Sequence, residues 1–301
     1  RERSGASGNV RVLGDLLRDK PVRGAALVYG PEYLAYNFGP EHPLQPIRLE
    51  LTFELIRALG ILAQPDVLLV PPRIATDDEL GLVHLLHYIQ KVRELSEPGR
   101  GWDVADNICG LGTPDNPVFE GMHEASAYSA GGSIVAGGLV MSGEVSHAFN
   151  MAGGLHHAHA GYASGFCVYN DAAVAIAGAR ANYGARVMYV DFDAHHGDGV
   201  QEIFYRSPDV LTVSLHESGE YLFPGTGDVD EMGRGAGIGY AVNVPLEPLT
   251  FDRVYLDVFR EIVPPLARWY RPDLIVTQMG CDTHWNDGSG ACLGCTQGPM
   301  Q

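Results

Sequence analysis

Short, largely apolar or β-branched runs recur along this chain, and three of them stop at Gly30, Pro71 and Asp191. The runs are Ala25–Tyr29, Val67–Val70, Val145–Phe149, Val187–Val190, Val210–Val213 and Leu274–Thr277. A strand with one wet face alternates apolar and polar residues, whereas an unbroken β-branched run is buried on both faces. Between the runs lie stretches with helical signals. Ile47, Leu51, Leu55 and Leu59 form a stripe at helical spacing, and Thr76-Asp77-Asp78-Glu79 is a capping box opening a helix predicted to reach Leu95. Helices are also predicted over 121–143 and 199–205, and over 251–270 with a disturbance at Pro264-Pro265. Strands alternating with helices imply an α/β fold of three layers around a mainly parallel central sheet.

Such a sheet places its chemistry beyond the carboxyl ends of its strands. There the sequence delivers Gly153-Gly154-Leu155-His156-His157, then Asp191-Phe192-Asp193-Ala194-His195-His196-Gly197-Asp198, then Gly280-Cys281-Asp282. Asp193 and His195 are two apart, so an extended segment puts both on one face. Carboxylate and imidazole together suit a borderline divalent ion, and a catalytic site takes about three protein ligands with an open position. Asp282 is the best-placed third ligand. His156 and His157 are then free to act on bound water, with Asp191 and Asp198 left to fix their tautomers.

Composition narrows the class. With 20 Lys+Arg against 37 Asp+Glu the formal net charge is −17, a poor balance for gripping phosphates, so no nucleic-acid partner is expected. The apolar runs are too short for a membrane helix. Five scattered cysteines do not form a disulfide framework, which points to a reducing cytoplasm. Cys292-x-x-Cys295 stands without a second pair. His84 and His87 read as packed or surface residues on a helix, and Gly235-x-Gly237-x-Gly239 as a loop rather than a dinucleotide fingerprint.

The strand-end motifs, with Ala163-Ser164-Gly165-Phe166-Cys167-Val168-Tyr169-Asn170-Asp171, Val213-Ser214-Leu215-His216 and Phe223-Pro224-Gly225-Thr226-Gly227, closely resemble the histone deacetylase superfamily. The resemblance spans residues 24–287 in order. Gly112-Thr113-Pro114-Asp115-Asn116-Pro117 and the His-Ala-His run at 157–159 look most like its acetoin-utilisation deacetylases. It implies an arginase-like fold and hydrolytic removal of acetyl groups from lysine in proteins or from a small acetylated amine, with an acetylpolyamine as the alternative substrate. Carried over by motif, Asp193, His195 and Asp282 would bind Zn2+ or Fe2+. His157 would be the general base and then acid, oriented by Asp198, and His156 with Asp191 would act electrostatically. Gly165, Phe166 and Phe223 would line the passage for the lysine stem, and Asp115 would hold the substrate backbone at the rim. Asp191, Asp193 and His195, with the Ser214 and Leu215 carbonyls, match a structural K+ or Na+ site, and Arg48 matches a buried arginine behind the centre.

After Asp287 the resemblance stops. The family carries a tyrosine on a glycine-rich loop well after the third metal ligand, yet the last tyrosine here is Tyr270. The expectation is therefore a loose leader over 1–23, a deacetylase domain over 24–287 incomplete at its C-terminus, and a foreign segment over 288–301, with weak turnover or an inactive pocket as the consequence.

Overall fold

The computed structural model describes residues 23–99, 109–284 and 287. The segments 1–22 and 288–301, and with the latter Cys292 and Cys295, lie outside the described residues. The strands form where the apolar runs predict: β1 (Arg23–Val28), β2 (Val67–Val70), β3 (Val145–Asn150), β4 (Val187–Asp191), β5 (Val210–Glu217) and β7 (Leu274–Gln278). A further strand, β6 (Ala241–Leu246), was not anticipated, because its polar Asn243 and Pro245 interrupt the apolar pattern.

Every described pairing is parallel. The strands form a three-stranded sheet in the order β2-β1-β3 and a four-stranded sheet in the order β6-β5-β4-β7. β4 and β5 are buried at every residue, as continuous apolar runs require. Asp191 pairs in register with Ser214 on one side and Gln278 on the other, so β4 and β7 end at the same level while β5 runs on to Glu217.

The helices include α1 (Ile47–Ala58), α2 (Asp77–Leu80), α3 (Leu86–Leu95), α4 (Met122–Met141), α5 (Asp171–Tyr183), α6 (Asp198–Phe204) and α7 (Asp252–Tyr270). Three depart from expectation. The stripe of α1 does not pack: Ile47, Leu51, Leu55 and Leu59 are 49–66% exposed. The inward face carries Leu49, with Phe53 and Ile56 against the same cluster, because α1 has a second apolar set offset around its circumference. The helix opened by the Thr76 capping box stops after one turn and restarts at Leu86, since the Leu85 N–H bonds the Ala160 carbonyl and His84 turns into the core. α7 runs unbroken through Pro264 and Pro265. Packing of Phe259, Ile262, Val263 and Leu266 beside β4 and β5 residues offsets the hydrogen bonds the prolines cannot make.

α5 was also not anticipated. Its alanine-rich sequence favours helix, and the Asn170 side chain caps it by accepting the Ala173 N–H at 2.9 Å. No described helix is long and apolar enough to cross a membrane.

His84 is a packed residue, as read from the sequence, although it sits between helices. Its Nδ1 lies 3.0 Å from the His159 carbonyl and its Nε2 accepts the Asn170 N–H at 3.0 Å, an arrangement only the neutral ring satisfies. Burial lowers its pKa to about 4, against smaller support for the charged form from carbonyls. His216 is likewise lowered to about 4 by burial and by His196. The sign follows. Below about 6.5 the unfolded chain takes up protons that the folded one refuses, so stability falls as pH drops toward 4 and is indifferent to these groups above 7. Each site can cost up to about 3 kcal/mol. We expect the melting temperature to fall between pH 7 and pH 4, and His84→Gln to be less stable at pH 7 yet lose less on acidification. An equal acid slope in both proteins would refute this assignment.

Candidate active site

The His156–His157 loop follows β3 and is held from below by the start of α5. Asp171 Oδ1 accepts the Gly154 and Leu155 N–H groups at 3.0 and 2.7 Å, while Ser133 bonds the other oxygen. The Asn170 amide donates to the His156 and Ala158 carbonyls at 3.1 and 2.9 Å. Both imidazoles are therefore presented by backbone fixed on each side.

Each imidazole has its own carboxylate. His156 Nδ1 lies 2.7 Å from Asp191 Oδ2, and that oxygen also accepts the Tyr189 hydroxyl at 2.6 Å. His157 Nδ1 lies 2.7 Å from Asp198 Oδ1. The rings are 4.0 Å apart and tilted by 50°, and their surroundings shift their proton affinities in opposite directions. Burial disfavours charge on His156, but Asp191 and Asp193 overcome it and raise its pKa to about 10. Burial and the adjacent His156 charge together lower His157 to about 4 despite Asp198. A charged and a neutral imidazole thus stand side by side, and with Nδ1 committed to Asp198, His157 Nε2 is the nitrogen left for proton transfer.

Beside them Asp193, His195 and Asp282 converge. His195 Nδ1 is 3.0 Å from Asp193 Oδ1 and 2.8 Å from Asp282 Oδ2, and donor atoms of the three residues all lie within 4.8 Å of one another. Burial would raise Asp193, but His156 and His195 pull it well below the usual carboxylate range. Burial, opposed by His195 and reinforced by Asp193, raises Asp282 to about 6. Two carboxylates drawn together on one imidazole nitrogen make a donor set that fits a divalent cation with vacant positions, and its chemistry suits zinc or iron(II).

The remaining expected residues fall into place unevenly. The Phe223 ring stands 5.0 Å from His157 and 6.2 Å from His195, and is 44% exposed. Phe166 contacts the His42 ring at 4.6 Å. Asp115 is exposed, and its carbonyl lies 3.2 Å from His42 Nε2. Ser214 is the register partner of Asp191, and its hydroxyl lies 2.9 Å from His216 Nδ1; Leu215 is buried in the core. Arg48 lines a narrow cavity with Tyr33, Tyr36 and Leu155, but the residue is exposed rather than buried as the resemblance implied. Tyr270, the last tyrosine, is engaged elsewhere: its hydroxyl meets the Pro208 carbonyl and Arg186 lies over its ring.

Three positioning side chains had no role in the sequence reading. Tyr189 holds Asp191, as described above. The Tyr36 hydroxyl donates to the Phe166 carbonyl at 2.8 Å and accepts the Val168 N–H. Gln278 Nε2 donates to Asp193 Oδ2 at 2.9 Å and to the Gly154 carbonyl at 3.2 Å. Its signal was a polar residue at a buried strand end just before the Gly280-Cys281-Asp282 motif.

Gly165 is irreplaceable on two grounds. Its φ is +50°, followed by +69° at Phe166, in the tight turn that brings Ser164 opposite Cys167. A Cβ there would also stand 2.5 Å from His157 Cδ2. We expect Gly165→Ala to displace the His157 ring and lower kcat by about 10² or more, the usual cost of an ångström-scale misplacement. Circular dichroism should remain unchanged. An alanine variant with wild-type kcat would contradict this packing.

Comparison with known proteins gives a consistent picture. The histone deacetylase domain profile matches residues 42–298. The acetoin utilization protein AcuC of Bacillus subtilis (strain 168) is 47% identical over 266 residues, covering 88% of this chain and 68% of that protein. AcuC of Staphylococcus xylosus is 44% identical over 260 residues, covering 86% and 67%. Among solved structures, a histone deacetylase homologue from Aquifex aeolicus superposes with a TM-score of 0.81 at 33% identity, covering 89% of this chain and 72% of that one. The HDA15 HD domain gives 0.80 at 32% identity, covering 90% and 76%.

Proposed function

The chain belongs to the histone deacetylase family, and from that premise we propose that it hydrolyses the acetyl amide of acetyl-lysine, in proteins or in a small acetylated amine, with a divalent metal held by Asp193, His195 and Asp282. The observation that carries the reading is the pair of adjacent imidazoles, each held by its own carboxylate, beside three converging metal donors. When bound, zinc or iron(II) polarises the amide carbonyl and lowers the pKa of water.

The chain's own groups do the rest. Neutral His157 takes a proton at Nε2 from the attacking water and returns it to the leaving amine, a role its lowered pKa equips it for at neutral pH. Asp198 fixes the Nδ1–H tautomer and stabilises the imidazolium while it exists. His156, charged and bound to Asp191, supplies a fixed positive field beside the developing oxyanion. Phe166 and Phe223 flank the apolar stem of the substrate lysine, and Asp115 meets its backbone at the rim. Asp191, Asp193 and His195, with the backbone carbonyls of Ser214 and Leu215, would hold a monovalent K+ or Na+ as a structural cation.

The test is acetate release from an acetyl-lysine peptide by zinc-loaded protein, with an acetylated polyamine as the comparison substrate. Turnover should vanish on chelation and return with zinc or iron(II). Failure on both substrates with metal bound would overturn the reading.

A further inference from the structure

One buried histidine beside the centre has no place in that mechanism. His159 lies two residues beyond His157, on the other side of Asp198. Its Nε2 is 3.2 Å from Asp198 Oδ2, and its Nδ1 is 2.5 Å from Glu202 Oε2. Asp198 and Glu202 are one turn apart on α6, so the imidazole bridges two carboxylates of a single helix. The His159 side chain is 7% exposed, whereas Glu202 is 59% exposed.

The hydrogen-bond inventory fixes the charge of such a bridge. An ionised carboxylate only accepts, and a neutral imidazole donates from one nitrogen alone. A neutral His159 would aim a lone pair at a carboxylate oxygen. With both nitrogens protonated, both contacts become charge-assisted hydrogen bonds.

The other groups facing the ring agree. Tyr162 stacks on it at 4.1 Å with planes 13° apart, a face favourable to a cation. The neutral His84 ring touches only the His159 carbonyl and brings no opposing charge. Burial disfavours the charged form, but Asp198 and Glu202 overcome it and raise the proton affinity of His159.

We propose that His159 is a positioning residue, held as an imidazolium between Asp198 and Glu202, which pins the Asp198 carboxylate so that Oδ1 stays aimed at His157. Asp198 has two oxygens and a torsion about its carboxyl group. Oδ1 is occupied by His157 Nδ1 and the Gly199 N–H, and Oδ2 has His159 as its side-chain donor. With that donor removed, the carboxylate can rotate, and the orientation of His157 becomes an average rather than one geometry. Glu202 acts at one further remove, by keeping the proton on His159.

The role rests on the deacetylase reading for its kinetic consequence, but the charge state does not. Nitrogen-15 histidine spectra of the metal-loaded protein at pH 7 should show both ring nitrogens of His159 protonated. In Glu202→Gln they should report a larger neutral fraction. His159→Gln keeps a donor toward Asp198 without the charge, and His159→Ala removes both. With an acetyl-lysine peptide, kcat should fall about 10–100-fold in His159→Ala, the usual cost of losing an outer orienting partner, and less in His159→Gln. KM and metal content should stay at wild-type values, a split that general destabilisation would not give.

A neutral His159 in the wild-type protein overturns the proposal. So does wild-type kcat in His159→Ala, or a loss carried by KM and metal content instead of kcat. If His159→Ala does not fold, the spectra and His159→Gln decide. A wild-type protein without turnover would overturn the deacetylase reading, and the spectra alone would then decide the bridge.

Discussion

Alanine at position 193 is expected to abolish metal binding and turnover together. Asp193 offers one of three converging donors, and two protein ligands are too few to hold a catalytic ion. The loss should exceed the about 10–100-fold cost of removing an outer partner of a metal ligand. Asp193 also ties the site together: its carboxylate accepts the His195 N–H at 2.9 Å and the Gln278 amide, so its removal also frees His195. Elemental analysis of dialysed protein, alongside peptide deacetylation, checks the expectation. Wild-type metal content in Asp193→Ala would refute the ligand assignment.

His157→Ala should behave in the opposite way, keeping its metal while kcat drops by about 10²–10⁴, the usual worth of a positioned acid–base group. None of the three metal donors depends on His157 for a hydrogen bond; its Nδ1 is spent on Asp198 and its ring meets Phe223. The substrate passage should therefore survive and KM should change little. His156→Ala makes the informative contrast. It removes a charge that holds Asp193 well below the usual carboxylate range, so it should weaken metal retention as well as catalysis. If His157→Ala loses metal and His156→Ala does not, the division of labour drawn here is reversed.

The strands were legible because burial on both faces leaves an unmistakable run, and β4 and β5 are such runs. Residues at the ends of those strands were legible for the same reason: Asp191 closes β4, and Asp193 and His195 stand in the bend directly after it. What periodicity could not tell was direction. In α1 the apolar residues 47, 51, 55 and 59 and the set 49, 53 and 56 both repeat at helical spacing, and only the fold decides which turns inward. Supports that act across the chain were invisible. Tyr36 reaches Phe166 over 130 residues and Gln278 reaches Gly154 over 124. Nothing local marks either pairing. His159 was visible as a motif letter, but its bridge depends on α6 turning Glu202 back toward the loop.

Gln278 has one more implication. Among the described residues the two sheets share no strand, yet the His156–His157 loop hangs from one sheet, and Asp193, His195 and Asp282 from the other. The Gln278 side-chain amide spans the seam, its Nε2 donating to the Gly154 carbonyl and to the Asp193 carboxylate, while its Oε1 accepts the Gly280 N–H. The spacing between proton shuttle and donor cluster is thus set by how the two sheets are tied together, and Gln278 shares that task with the His156–Asp191 and His157–Asp198 pairs. Of the three ties, only Gln278 hydrogen-bonds a proposed metal ligand, so a shift of one sheet against the other would be passed to Asp193 through it.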